Sequence, residues 1–179
     1  MKINKYLSKL TFLVLAILLT FAASAEAQRK KKPVTRKPTT TTTTTTTNPL
    51  EVRQAADKVS IQLKNVTKFI YVLGGVARGL EDADKDAKAG KLSKTATDTN
   101  NQYKQKVITS IRDLKAGLAA LETEFNSKPT LKTYVLQLQG ITSLATQSED
   151  LATSGRFADS GKFLLTVVEK LSDTLVAMP

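Results

Sequence analysis

Residues 48–80 read NPLEVRQAADKVSIQLKNVTKFIYVLGGVARGL, and they contain the strongest structural signal in the chain. Apolar residues recur in alternating steps of four and three, which places them on one face of an α-helix. They are Val52, Ala56, Val59, Leu63, Val66, Ile70, Leu73, Ala77 and Leu80. Asn48 can cap this helix and Pro49 suits its first position. We therefore expect a long amphipathic helix that starts at residue 49 and fades over residues 86–90.

Three further segments show helical spacing. Residues 91–101, KLSKTATDTNN, are polar and predict a loop or a frayed helix start, and residues 103–125 then form a second apolar stripe. Pro129 disfavours helical geometry in the residue before it and can open a third, weaker helix, which we expect to end near Ser154 and Gly155. A fourth stripe covers residues 157–178.

Four amphipathic helices joined by short connections bury their apolar faces most economically against one another. Strand-like alternation of apolar and polar residues is not convincing anywhere, and no internal repeat indicates a solenoid. The sequence therefore predicts an all-α fold, an antiparallel four-helix bundle over residues 49–179.

The N-terminus has the pattern of a signal peptide. Three lysines precede an apolar run over residues 10–23, and Ala25 and Ala27 place small side chains where a signal peptidase reads. The apolar run is shorter than the roughly 20 residues of a membrane span. We expect a cleaved signal peptide at residues 1–27 and a mature chain that begins at Gln28, with a retained N-terminal anchor as the alternative.

Residues 28–48 read QRKKKPVTRKPTTTTTTTTTN and combine six bases, two prolines and nine consecutive threonines. Like charges repel, proline removes backbone donors, and a threonine homopolymer has no apolar periodicity. We expect a disordered, Thr-rich linker, either a simple spacer or a tract that is glycosylated or contacts a polyanion.

The composition excludes much catalytic chemistry. Cysteine, histidine and tryptophan are absent, so thiolates, imidazole bases and the commonest haem and transition-metal ligands are lacking. We expect a non-enzymatic protein without a cofactor or a metal. The lack of cysteine and the signal peptide favour a periplasmic or secreted protein of bacterial origin.

Two groups of carboxylates leave an enzyme as the least favoured alternative. Asp82, Asp84 and Asp86 have the spacing of the first ligands in a calcium loop, but Ala87 and Ser93 occupy the positions that require glycine and glutamate. The second group would be a pair of carboxylates from separate helices, such as Glu81 with Glu169, acting as a general acid and a general base.

The charge is concentrated near the N-terminus. The whole chain has a net charge of +11, of which the linker contributes +6, while residues 49–179 contain 18 bases and 15 acids. The linker is therefore the best candidate for contact with a polyanion, and a specific nucleic-acid partner is not expected. Its bases are Arg29, Lys30, Lys31, Lys32, Arg36 and Lys37.

One further basic line lies opposite the apolar stripe of the first helix. Lys64, Lys68, Tyr71 and Arg78 form either an ordinary solvated face, because Asp57, Glu81 and Asp82 dilute their charge, or a line that contacts an anionic envelope polymer or a lipid surface through charge and stacking.

The middle of the first helix, FIYVLGGVA at residues 69–77, is apolar on nearly every side. It predicts either a central core segment or a contact between subunits, so a self-assembling homo-oligomer is the main alternative function. We interpret Gly74 and Gly75 as packing residues at a kink or a close helix contact.

Overall fold

The computed structural model describes residues 48–179, and this part of the chain is all-α, without β-strands. The predicted signal peptide and residues 28–47 of the predicted linker lie outside the described residues. Within these residues, five α-helices and one 3-10 helix follow one another. They are α1 (Pro49–Lys88), α2 (Lys94–Ser127), the 3-10 helix (Pro129–Tyr134), α3 (Val135–Leu138), α4 (Ile141–Thr153) and α5 (Phe157–Ala177).

Helix α1 begins as the sequence predicts. The side chain of Asn48 accepts a hydrogen bond from the Leu50 N–H at 3.2 Å, and Pro49 occupies the first turn. The predicted apolar stripe is buried or half-buried along its whole length. The helix has 40 residues, so it is about 60 Å long at 1.5 Å per residue.

The prediction of a loop or a frayed helix start over residues 91–101 is wrong for most of that segment, because α2 begins at Lys94. Ser93 caps the helix by accepting a hydrogen bond from the Ala96 N–H at 3.3 Å. The hydroxyls of Thr97 and Thr99 donate to backbone carbonyls four residues earlier. Threonine is compatible with a helix when its hydroxyl donates to a backbone carbonyl of the preceding turn. The polar composition of this segment resembles that of a loop, but these hydrogen bonds allow it to be helical.

The single third helix predicted over residues 129–154 is divided into the 3-10 helix, α3 and α4. The division falls at Gly140, whose φ of +89° is in the left-handed region that side chains disfavour. The prediction that the helix ends near Ser154 and Gly155 is confirmed, and Gly155 has a φ of +83°.

Helix α1 packs against α2 and α5, and α4 packs against the same two helices. One apolar core lies among them, and α3 and the 3-10 helix cover part of it. The largest fully buried side chains of residues 48–179 include Ile111, Leu118, Phe125, Leu131, Phe157, Leu164 and Leu171. In the part of the chain from residue 48 onward, no helix has the length and apolarity needed to cross a bilayer.

Candidate functional site on the outer side of helix α1

Four side chains predicted to form a basic line lie exposed on the outer side of α1. We call Lys64, Lys68, Tyr71 and Arg78 the basic face. Tyr71 is 85% exposed, an unusual state for a large aromatic side chain. Within residues 48–179, none of the three cations forms an ion pair with a carboxylate.

Most other bases of the described residues are paired. Ten of them lie within 4.0 Å of a carboxylate oxygen, namely Lys58, Lys85, Lys91, Lys94, Lys104, Arg112, Lys115, Lys128, Arg156 and Lys162. The cations of the basic face therefore differ from the majority, because their charge is directed to solvent and is not neutralised locally.

Arg53 extends the basic face and is not among the sequence-predicted residues. It is exposed and forms no ion pair within the described part of the chain. It precedes Tyr71 by 18 residues, which is five helical turns, so the two side chains lie on the same side of α1. The helical period could have revealed Arg53, but the predicted line begins eleven residues later, at Lys64.

The carboxylates expected to dilute this charge are largely engaged elsewhere. The Asp82 carboxylate pairs with Lys85 at 3.0 Å, and the Glu81 carboxylate accepts a hydrogen bond from the Ala158 N–H of α5 at 2.8 Å. Asp57 is exposed and forms neither an ion pair nor a side-chain hydrogen bond among the described residues. The outer side of α1 is thus more basic than the sequence composition suggests.

The interpretation of Gly74 and Gly75 as packing residues is wrong. Both are exposed, and a Cβ atom added at either position would meet no described atom within 4 Å. Leu73, Val76 and Ala77 are buried beside them, and α1 continues through the two glycines without interruption. The segment of residues 69–77 is therefore amphipathic, with its glycines on the solvent side.

A shallow groove lies beside the basic face, between α1 and α5, and we call it the α1–α5 groove. Its volume is about 180 Å³. It is lined by Ile70, Leu73, Gly74, Ala77 and Arg78 of α1 and by Phe157, Ala158, Gly161, Lys162 and Leu165 of α5. Arg78 belongs both to the groove and to the basic face.

The three aspartates with calcium-loop spacing lie within α1 and contact different lysines. Asp82 pairs with Lys85, Asp84 with Lys104 at 2.8 Å, and Asp86 with Lys91 at 3.9 Å. In a helix, residues two apart point to different sides, so these carboxylates do not converge as they would in a calcium loop. Over residues 48–179, no group of three acidic side chains is arranged to hold a metal ion.

Glu81 and Glu169 do not form a close pair. The Glu81 carboxylate is bonded to the backbone of Ala158, and Glu169 follows that residue by eleven positions on α5. Eleven residues of helix correspond to about 16 Å. Glu81 and Glu169 are thus too far apart to act together, and the Glu81 carboxylate instead caps the start of α5 through its bond with the Ala158 N–H.

The six predicted contact residues of the linker, Arg29, Lys30, Lys31, Lys32, Arg36 and Lys37, lie outside the described residues. Of the predicted contact residues, the structure describes only the four of the basic face. Comparisons with protein-family models, with curated proteins and with solved structures found no significant match to this chain.

Proposed function

We propose that this chain is a secreted, non-enzymatic helical binding module that its basic linker and basic face hold at an anionic polymer or lipid surface. The observation that carries the proposal is the set of unpaired cations on α1. Lys64, Lys68 and Arg78 are exposed without an ion pair in the described chain, beside an 85% exposed tyrosine.

The dimensions of the face favour an extended partner. Arg53 and Arg78 are 25 residues apart on one helix, which corresponds to about 38 Å. A row of cations over this length can follow several anionic groups of a polymer or a lipid surface, and Tyr71 can stack on a ring. The linker precedes α1 in the sequence and supplies six further bases for the same kind of partner.

We further propose that α1, α2, α4 and α5 form an antiparallel four-helix bundle. Contacts between helices support this arrangement, because early residues of one helix meet late residues of the next. Lys58 of α1 pairs with Glu124 of α2, whereas Asp84 of α1 pairs with Lys104. Such a bundle gives α1 a rigid outer side on which the cations keep fixed spacings.

The alternatives have less support. Phe69 and Ile70 pack against the core, so the apolar middle of α1 presents less surface for self-assembly than its sequence suggests. Glu81 and the three aspartates contact backbone or lysine groups and are not grouped in a pocket.

The test compares variants of the chain that begins at Gln28. A linker variant replaces the six bases of residues 28–48 with glutamine, and a face variant combines Lys64→Gln, Lys68→Gln and Arg78→Gln. The matched control combines Lys88→Gln, Lys106→Gln and Lys132→Gln, which removes the same charge from exposed lysines elsewhere. Retention is measured on heparin, on anionic vesicles and on cell-wall fractions.

We expect the linker and face variants to lose retention and the control to keep it. Retention should also fall as salt shortens the Debye length from about 10 Å at 0.1 M to about 3 Å at 1 M. The matrix that retains the parent chain identifies the surface as polymer or lipid. If the face variant behaves like the control, the basic face is not a binding surface, and if the linker variant does so as well, the proposal is wrong.

A further inference from the structure

The α1–α5 groove has an apolar floor and a charged edge. Leu73, Ala77 and Phe157 lie almost completely buried beneath the groove, and Ile70 and the half-exposed Leu165 supply its accessible apolar surface. Two cations, Arg78 from α1 and Lys162 from α5, line the same groove. A groove of this composition suits a ligand that has an apolar body and a single anionic group.

Two glycines create the space. Gly74 lines the groove from α1, and a Cβ atom there would meet no described atom within 4 Å. Gly161 lines it from α5, where a Cβ atom would lie 3.4 Å from the Leu73 Cδ2 atom. Side chains at both positions would occupy the groove, so its volume depends on the absence of side chains there.

The size of the groove fits one aromatic ring. Its volume of about 180 Å³ is slightly larger than the roughly 150 Å³ apolar cavity that holds one benzene molecule in an engineered protein core. The groove is open to solvent along one side, so a polar substituent on the ring can remain near the cations at the edge.

The charges around the groove favour an anion. Arg78 has no ion pair within residues 48–179, so its guanidinium can bind a carboxylate with two parallel hydrogen bonds. Lys162 pairs with Asp159 at 2.7 Å, and Asp159 is shared with Arg156. The Glu81 carboxylate near Ala158 already accepts a hydrogen bond from the backbone of α5. The charges of Arg78, Lys162 and Arg156 and those of Asp159 and Glu81 therefore sum to one positive charge, and the two charged groups that line the groove itself are both cations.

We propose that the α1–α5 groove binds a small aromatic carboxylate, with the ring against Ile70 and Leu165 and the carboxylate at Arg78. This inference does not depend on the proposed function, because it concerns a monovalent ligand and a groove that the linker does not form.

The experiment is a titration of the full chain with sodium benzoate, followed by the amide resonances in nitrogen-proton correlation spectra. Benzyl alcohol, which has the ring without the charge, and acetate, which has the charge without the ring, are the ligand controls. We expect saturable shifts for residues 73–78 and 157–162 with benzoate, weaker binding of benzyl alcohol, and none of acetate.

Gly74→Leu is the decisive variant and Gly75→Leu is its matched control. Both replace an exposed helical glycine that has open space around it, and both should strengthen α1 because glycine is a poor helix former. Only position 74 lines the groove. We expect Gly74→Leu to weaken benzoate binding about tenfold or more through steric exclusion, and Gly75→Leu to leave it unchanged.

Arg78→Gln separates recognition of the charge from recognition of the ring, and it should reduce benzoate binding to the level of benzyl alcohol. Shifts spread over other surfaces, or equal binding by the Gly74→Leu and Gly75→Leu variants, would overturn the proposal. Equal binding of benzoate and acetate would also overturn it, because the groove would then supply only charge.

Discussion

Ser148 is a buried polar residue without a hydrogen bond. Its side chain is 0% exposed in the core stripe of α4, and its hydroxyl has no partner among the described residues. The other buried hydroxyls differ, since Ser160 donates to the Phe157 carbonyl and Thr174 donates to the Lys170 carbonyl, at 2.8 Å and 2.7 Å. Burial of the Ser148 hydroxyl therefore carries a desolvation cost that no hydrogen bond offsets, unlike burial of the Ser160 and Thr174 hydroxyls.

We expect Ser148→Ala to stabilise the protein by about 1 kcal/mol, because it removes an unsatisfied buried hydroxyl. Ser160→Ala is the control, since it has the same change in helix propensity but also removes a hydrogen bond. Thermal or urea unfolding followed by circular dichroism measures both. A Ser148→Ala variant that is no more stable than Ser160→Ala would contradict this account of Ser148.

Buried polar residues are also where sequence reasoning about the core is incomplete. The apolar residues Ile141, Ala145 and Ala152 of α4 recur at helical spacing and are buried, but a stripe of apolar residues passes over Ser148. Asn100 lies in the segment predicted as a loop or a frayed start, yet it is buried and donates to the Leu80 carbonyl and to Asp84. Periodicity counts apolar side chains only, so it cannot identify small polar residues that find a place in the core.

Helices are predicted well where one apolar stripe is long. Helix α1 and the end of α2 lie where the spacing and Pro129 place them. The division between α3 and α4 is missed because apolar residues recur at threes and fours on both sides of Gly140, as they would in one continuous α-helix. A single glycine in a sequence is a weak indication of a helix break. The break at Gly140 is stabilised by a contact with a residue far away in the sequence.

That contact comes from Glu122. Its carboxylate accepts hydrogen bonds from the Gly140 N–H at 2.7 Å and from the Thr142 hydroxyl at 2.6 Å. Helix α4 has no side-chain cap of its own, because its N-cap residue is glycine. A carboxylate on α2 therefore satisfies the first donors of α4, where the helix dipole also favours negative charge.

We expect Glu122→Ala to destabilise the protein by about 1–2 kcal/mol through loss of this cap. Asp113→Ala is the control, since it removes an exposed carboxylate from the same helix that has no ion pair among residues 48–179. Denaturant unfolding compares the two variants, and amide hydrogen exchange should show faster opening at residues 140–144 in Glu122→Ala alone. Equal stability of both variants would mean that Glu122 does not support α4.

At the scale of the whole molecule, carboxylates bridge helices through lysine and arginine. Hydrogen bonds from Lys115 and then Arg112 hold the pKa of Glu149 below its usual value of 4.5. The pKa of Glu124 is also lowered, because hydrogen bonds from Lys128 and Lys58 outweigh the opposing effect of burial. Both groups favour the folded state more when they are ionised.

The folded-state pKa of these groups is lower than the unfolded value, so their contribution is present above pH 4.5 and is lost as the pH falls through the folded pKa. We expect the melting temperature to fall when the pH is lowered from about 7 to about 3. Glu149→Gln should melt lower at neutral pH and lose less on acidification, as scanning calorimetry would measure. A melting temperature that does not change over this range would refute the assignment.

The candidate site is predictable in part, because exposure follows from helical period. Lys64, Lys68, Tyr71 and Arg78 lie opposite the apolar stripe, as expected. The pairing of Asp82 with Lys85, three residues apart on α1, is available from helical spacing, whereas the bond from Ala158 to Glu81 depends on contact between distant segments. That long-range contact influences how basic the face is, and helical spacing alone does not contain it.

The caps of the four longest helices divide the chain by order of synthesis. Helices α1 and α2 are capped locally, by Asn48 and Ser93. Helices α4 and α5 have no side-chain cap of their own and depend on Glu122 of α2 and Glu81 of α1. When residues up to 127 have been synthesised, the carboxylates of Glu81 and Glu122 are present, but the N–H groups that donate to them, at Ala158 and Gly140, are not. The N-terminal half can thus act as a template for the C-terminal half, whereas the reverse order would leave two helix starts unsatisfied.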